Sequence, residues 1–219
     1  MNLQSEGASA VLAASDCAVQ VSAHRRGVLA GSFKVAVADV SYHGPPSTAL
    51  GSKENLWGKG NMQCKYPVPE DGENGDAWFG RFEAWLDENV ADVGVLLIEP
   101  QWGSSNIAKV WDRTLLTRLC VLCVIRNVPV VSDDVMCGLC RHSQPLPSGV
   151  VPLFLSTSWN LPVSGVVFGK SVSTGVYPMS GFAMTGVRGL MVRQSEEREG
   201  RGRRAGAKRR QYSAYNTYD

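Results

Sequence analysis

The sequence predicts a doubly wound α/β fold, a mostly parallel sheet with crossover helices, and three observations carry that expectation. Short β-branched and aliphatic runs alternate with longer stretches of helical periodicity, as parallel strands joined by crossover helices require. Four of those runs end directly in residues able to do chemistry. The 219 residues suffice for one sizeable domain with a real core but leave little room for two.

Taken in order, Ala8 to Ala23 is rich in Ala and Val and reads as a helix opened by Gly7, where the missing Cβ lets a ligand approach the helix N-terminus. The first strand candidate is Lys34 to Val40, followed by Ser41-Tyr42-His43-Gly44. The second, Val93 to Ile98, runs into Glu99-Pro100. Asp112 or Thr114 can then cap a helix whose Leu115, Leu116, Leu119, Leu122 and Cys123 recur at helical spacing, and Asn127 stops it. The third strand, Val128 to Ser132, ends at Asp133-Asp134, and the fourth, Val163 to Phe168, ends at Gly169-Lys170. A further short strand, Gly181 to Met184, follows the turn at Tyr177-Pro178.

Open parallel sheets bind ligands outside the carboxyl ends of their strands. Tyr42, His43, Glu99, Asp133 and Lys170 are therefore expected to converge on one crevice.

Composition narrows the classes. Hydrophobic residues make up 44% of the chain, a value for a globular rather than a disordered protein. No apolar run approaches the roughly 20 residues of a membrane-spanning helix. The first residues lack the basic start of a secretory signal, so a cytoplasmic location is expected, with a mitochondrial one left open. The net charge of +2 is uneven: Arg188 to Arg210 holds nine Lys and Arg against three Glu, and the remainder is net acidic. Residues 1–187 thus read as the folded part and 188–219 as a basic Arg/Gly-rich tail expected to be disordered. That tail could track a phosphate backbone, with Tyr212, Tyr215 and Tyr218 stacking on bases, so RNA binding through the tail is one functional alternative.

The cysteines at 120, 123, 137 and 140 give two C-x2-C pairs, a zinc-like spacing. Cys120 and Cys123 fall inside the apolar helical stretch TRLCVLCVIR, however, where buried free thiols are expected. Asp133-Asp134 could be a Mg²⁺ pair, but no phosphate-binding P-loop accompanies it. Trp102 and Trp111 are expected in the core.

A lysine at the mouth of a sheet, with an acid on a neighbouring strand end, is the arrangement that pyridoxal 5'-phosphate (PLP) requires. The amine holds the cofactor aldehyde, and the carboxylate keeps the pyridine nitrogen protonated so that the ring accepts electrons. Lys170 and Asp133 suit those roles.

Five segments then carry a resemblance. VPVVSDDVMCGLCR at 128–141 is similar to the segment of the class III PLP-dependent aminotransferases in which a strand leads into Asp-Glu-Val, a Gly and an Arg. FGKSVSTGVYPMSG at 168–181 resembles that family's lysine segment, IEPQWG at 98–103 its Glu-Pro segment, SYHGPPSTA at 41–49 its aromatic-X-Gly loop, and EGASAV at 6–11 its phosphate loop. The five occur in the family's order.

The resemblance implies that Lys170 binds the cofactor covalently and moves the proton between substrate and cofactor. It implies that Asp133 pairs with the pyridine nitrogen, Val135 packs on one ring face and Tyr42 stacks on the other. Gly7 and Ala8 would donate to the phosphate, and His43 and Glu99 would line the pocket. It also implies an amino donor and a keto-acid acceptor as substrates, a homodimer, and the large PLP-binding domain as the fold. Three departures stand out: Glu6 replaces the usual Ser or Thr before the Gly, Ser9 the usual Glu after the small residue, and Asp134 the usual Glu. Members of the family are longer, with an N-terminal segment, a small C-terminal domain and a Thr donated to the phosphate across the dimer interface, so the sequence is expected to be a fragment. The same site supports aminomutase, racemase and decarboxylase chemistry, and a non-catalytic remnant acting as an interaction protein is a further alternative.

Overall fold

A computed structural model describes residues 1–45, 50, 63–141 and 145–185. The basic tail and residues 46–49 of the SYHGPPSTA loop lie outside the described residues. The strands are β1 (Asn2–Gln4), β2 (Lys34–Ala38), β3 (Gln63–Tyr66), β4 (Val93–Ile98), β5 (Val130–Asp133), β6 (Gly165–Phe168) and β7 (Ser180–Met184). The helices are α1 (Gly7–Arg26), α2 (Gly75–Asn89), α3 (Arg113–Ile125) and the single turn α4 (Leu155–Ser158).

All seven strands form one sheet in the order β1-β7-β6-β5-β4-β2-β3. Strands β3, β2, β4, β5 and β6 run parallel; β7 is antiparallel to β6, and β1 to β7. The mostly parallel sheet read from the sequence is therefore what forms. The chain steps outward from β2 to β3, then returns past β2 to β4, so the direction of winding reverses between β2 and β4. Such a reversal opens a crevice at the strand ends, and these two strands lead to His43 and Glu99.

Several boundaries move for local reasons. Strand β2 stops at Ala38 rather than Val40, because the Ser41 N–H closes a turn onto the Ala38 carbonyl at 3.1 Å. Strand β5 begins at Val130 because the Val128 N–H is spent on the Cys123 carbonyl behind α3. It also runs one residue further than expected, through Asp133. Strand β6 starts at Gly165 and β7 at Ser180. The expected four strands and a fifth are present, but β1, β3 and the whole of α2 went unread in the sequence.

Helix α1 covers one face of the sheet. Its Ala-rich sequence favours helix, and it ends at Gly27 in the left-handed conformation (φ 68°), where the Gly27 and Val28 N–H groups bond the carbonyls of His24 and Ala23. Ala10, Ala14 and Ala18 pack on Val35, Val37, Val95, Leu97, Val131 and Val167. Small side chains bring the helix close enough for Ser22 Oγ to donate to the Gly94 carbonyl at 2.6 Å.

The other face carries α2 and α3. Asn74 caps α2 by accepting from the Asp76 and Ala77 N–H groups, and Asp112 caps α3 by accepting from Leu115 N–H at 2.9 Å. Of the two caps considered for α3, Asp112 is the one used. Trp78, Phe82 and Leu86, spaced by four along α2, pack with Tyr66, Trp102, Trp111, Leu116 and Leu119 into the larger core. Cys120 and Cys123 are buried in the same core, inside α3 as the periodicity implied. Among the described residues no helix is long and apolar enough to cross a membrane.

Candidate functional site

Side chains alternate along a strand. In β5, Val131 belongs to the α1-side core and Val130 to the other, so Asp133 follows Val131 and Asp134 follows Val130. The adjacent carboxylates accordingly turn to different partners. Asp134 is fully buried; it accepts from Ser132 Oγ at 2.8 Å, Ser156 Oγ at 2.7 Å and Ser156 N–H at 3.2 Å. Burial raises its pKa while these bonds act the other way. Asp133 reaches His43, 2.9 Å from Oδ2 to Nδ1, and its Oδ1 accepts from the Val135 N–H at 3.1 Å. Side chains that diverge in this way do not form a shared Mg²⁺ pair. Among the described residues no three His, Cys, Asp or Glu are grouped as metal ligands.

His43 lies almost wholly out of solvent, and the carboxylate partner makes Nδ1 its donor. Its Nε2 is buried with no hydrogen-bond partner among the described residues. Burial works against the charged ring, but the Asp133 bond and the Glu99 and Asp133 charges outweigh it and raise the pKa. Glu99, directly after β4, is also buried, and its Oε2 accepts from the Tyr42 N–H at 3.0 Å. Burial pushes its carboxyl up to about 7, with Asp133 adding to the rise and His43 opposing it. One imidazole thus sits among two buried carboxylates from two neighbouring strand ends. The Tyr42 ring is half-exposed.

The N-terminus of α1 meets this group through Val135. A Cβ on Gly7 would lie 3.3 Å from Val135 Cγ1, and one on Gly169 3.2 Å from Ser180 Cβ and 3.5 Å from Val135 Cγ1. Val135 therefore lies between the opening of α1 and the residue before Lys170, and a Cβ at Gly7 would fit only if Val135 gave way slightly. Gly7 and Ala8 occupy the first two positions of α1.

Lys170 begins a short turn after β6 with φ 48°, a left-handed backbone rarely adopted by lysine. It is exposed, and its Nζ lies 2.7 Å from Met136 Sδ. The strands carrying Asp133 and Lys170 are hydrogen-bonded neighbours, with Asp133 opposite Val167. Beside Lys170, the Arg141 guanidinium bonds the Ser171 hydroxyl.

The structure therefore links His43 to Asp133, Tyr42 to Glu99, Gly7 to Val135 and Lys170 to Met136. Arg141 entered the sequence reading only as the Arg of the resembling segment, and the contributions of Met136, Ser132 and Ser156 were not legible there. A Met two residues beyond a strand carries no signal of its own, and serines spaced two before and twenty-two after an aspartate carry none either.

Trp102 and Trp111 are core residues as expected, with ring centroids 4.8 Å apart. Burial pushes the Cys123 thiol up to about 12 and the Cys120 thiol higher, so both stay protonated.

No family model matches the sequence, and no curated protein matches it. Solved structures do. The chain is similar to the ornithine aminotransferase of Toxoplasma gondii, at 22% identity and TM-score 0.64 over 84% of this chain and 40% of that one. A second structure of that enzyme, with partial occupancy of PLP at its active site, matches at 23% identity, TM-score 0.64, and the same coverage. A thermostable (S)-enantioselective omega-transaminase of Thermomicrobium roseum matches at 16% identity and TM-score 0.72, over 87% of this chain and 44% of that one. The chain spans about two fifths of the length of these structures. Its sheet and flanking helices have the fold of part of an aminotransferase.

Proposed function

We propose that this chain is part of a class III PLP-dependent aminotransferase, a cytoplasmic enzyme that moves an amino group between an amine or amino acid and a keto acid and works as a homodimer. The observation that carries the reading is the meeting of three elements around Val135. Here the N-terminus of a long helix, the strand end bearing Asp133 and the glycine before Lys170 come together.

The residues present fit the cofactor. A Cβ on Gly7 or Gly169 would meet Val135, so the two glycines let that side chain sit close to both backbones, where it would support one face of a flat ring. The first-turn N–H groups of α1 have no acceptor within the helix, and its positive end suits an anion. The buried Nε2 of His43, with no partner among the described residues, marks a polar site that can accept one more group. When bound, PLP supplies an aldehyde that takes up the amine and a ring that draws electrons from the substrate carbon.

The chain's own residues would do the rest. Lys170 would hold the cofactor and carry the proton to and from the substrate carbon. Its strained backbone fits a residue whose position is dictated by function. Asp133 would keep the ring nitrogen charged, and His43, hydrogen-bonded to it, would fix the orientation of its carboxylate. Val135 and Tyr42 would bracket the ring, Gly7 and Ala8 would hold the phosphate, and Glu99 would line the pocket beside His43.

The test is direct. Purified chain mixed with PLP should develop a new absorbance band, and borohydride should then fix the cofactor to the peptide containing Lys170. Absence of the band, or equal labelling of Lys170→Ala, overturns the reading.

A further inference from the structure

Helix α1 is 20 residues long, and its first hydrogen bond runs from the Ala10 N–H to the Glu6 carbonyl. The N–H groups of Gly7, Ala8 and Ser9 are therefore left without intrahelical acceptors. Its first turn contains no acidic residue, but the position just before it is Glu6. The Glu6 backbone is extended (φ −147°, ψ 155°), and its side chain makes no capping bond to the free N–H groups. Its Oε1 instead accepts from Ser9 Oγ at 3.0 Å. A full negative charge is thus tethered beside the first turn while the N–H groups stay open. The next residue, Gly7, is the one that touches Val135.

Resting on the reading of this site as one for PLP, we infer that Glu6 is a specificity residue that disfavours the phosphorylated cofactor relative to its unphosphorylated form, pyridoxal. A phosphate bound by Gly7 and Ala8 brings up to two negative charges next to the Glu6 carboxylate. Pyridoxal has the same ring and aldehyde but no such charge, so the carboxylate leaves it untouched. Glu6 is exposed, and water and salt screen the repulsion. For one to two charge pairs a few ångströms apart in a solvent-like dielectric, the penalty corresponds to about three- to tenfold in Kd. Phosphate binding at α1 is consequently a compromise between an attractive helix end and a repulsive neighbour.

The experiment measures Kd for PLP and for pyridoxal, by absorbance and by tryptophan fluorescence, with the full chain and with its Glu6→Gln and Glu6→Ser variants. The substitutions are on the surface and remove only one hydrogen bond, the one to Ser9. The expected result is that both variants bind PLP about three- to tenfold more tightly, bind pyridoxal unchanged, and lose most of that advantage at high salt. An unchanged ratio of PLP to pyridoxal affinity, with both ligands binding, overturns the role of Glu6 and leaves the cofactor reading intact. Failure of both ligands to bind all three chains overturns the cofactor reading and this inference together.

Discussion

The two faces of the sheet are built from different side chains, and the difference separates stability from chemistry. On the α2/α3 face, Tyr66, Trp78, Phe82, Trp102 and Trp111 interlock with leucines. The Trp78 and Phe82 rings stack at 5.9 Å, and Tyr66 donates to the Leu97 carbonyl at 2.9 Å. On the α1 face, Ala10, Ala14 and Ala18 of the helix meet mainly valines of the sheet, with Phe33 and Phe182 as the buried aromatic rings of that core. Bulky rings bury more apolar area, whereas small ones allow a helix to approach until its N-terminus reaches the strand ends. The aromatic side therefore supplies most of the hydrophobic stabilisation, and the small-residue side positions the polar site. Asp134 and Asp133 repeat the contrast within two residues: one is locked by serines, the other is turned toward His43.

The sharpest way to break this contrast is Trp78→Ala. The ring is fully buried, and its Nε1 donates to the Pro67 carbonyl at 3.0 Å. Unfolding in urea should show a loss of about 3–5 kcal/mol, and a loss under 1 kcal/mol would mean that the aromatic face is not the stabilising one.

Titration sharpens the picture from the other side. Glu99 keeps its proton in the folded chain up to about pH 7, while an unperturbed glutamate releases it near 4.5. Between those values the unfolded state binds fewer protons, so stability falls as pH rises. His43, also raised, contributes stability that is present below its unfolded pKa and lost as pH rises through the folded one, so the two act in the same direction. Relative to Glu99→Gln, the wild-type chain should therefore lose about 2–3 kcal/mol between pH 5 and pH 8. A flat difference across that window would contradict the burial of Glu99.

The paired aspartates give the next test. Asp134→Ala removes the acceptor of three hydrogen bonds and should cost about 1–3 kcal/mol in chemical denaturation, with PLP attachment at Lys170 retained. Asp133→Asn, which keeps the shape, should cost about 1 kcal/mol or less and weaken PLP binding more than tenfold. Reversal of the two phenotypes would exchange their roles.

The smallest expected effect is at Gly7. Gly7→Ala places a methyl at 3.3 Å from a side-chain methyl of Val135, which can shift slightly, while alanine favours the helix. Thermal unfolding should move by less than about 0.5 kcal/mol, and if Gly7 holds the cofactor phosphate as proposed, PLP affinity should fall.

How much of this was legible beforehand depended on how local the cause was. Val93 to Ile98 is β4 to the residue, because a strand buried on both faces reads as an unbroken apolar run. Asp112 was legible as a cap because its acceptor serves an N–H three residues on. Helix α2 escaped notice although Asn74 caps it and Trp78, Phe82 and Leu86 recur every four residues; Gly80, Arg81 and Glu83 between them diluted the pattern. Strands β1 and β3, with the sequences NLQ and QCKY, carry too little apolar alternation to announce themselves and are held by β7 and β2.

The sequence by itself determined five of the seven strands and the helices α1 and α3, the chemical groups placed at the strand ends, and the glycine that opens α1. These follow from local periodicity, capping and backbone freedom, which act over a few residues. Only the tertiary structure decided that Asp133 would bond His43, ninety residues away, that Asp134 would be held by Ser156, and that Val135 would be clasped between Gly7 and Gly169. Those choices depend on which strands become neighbours and which face each side chain meets, and no short window of sequence contains that information.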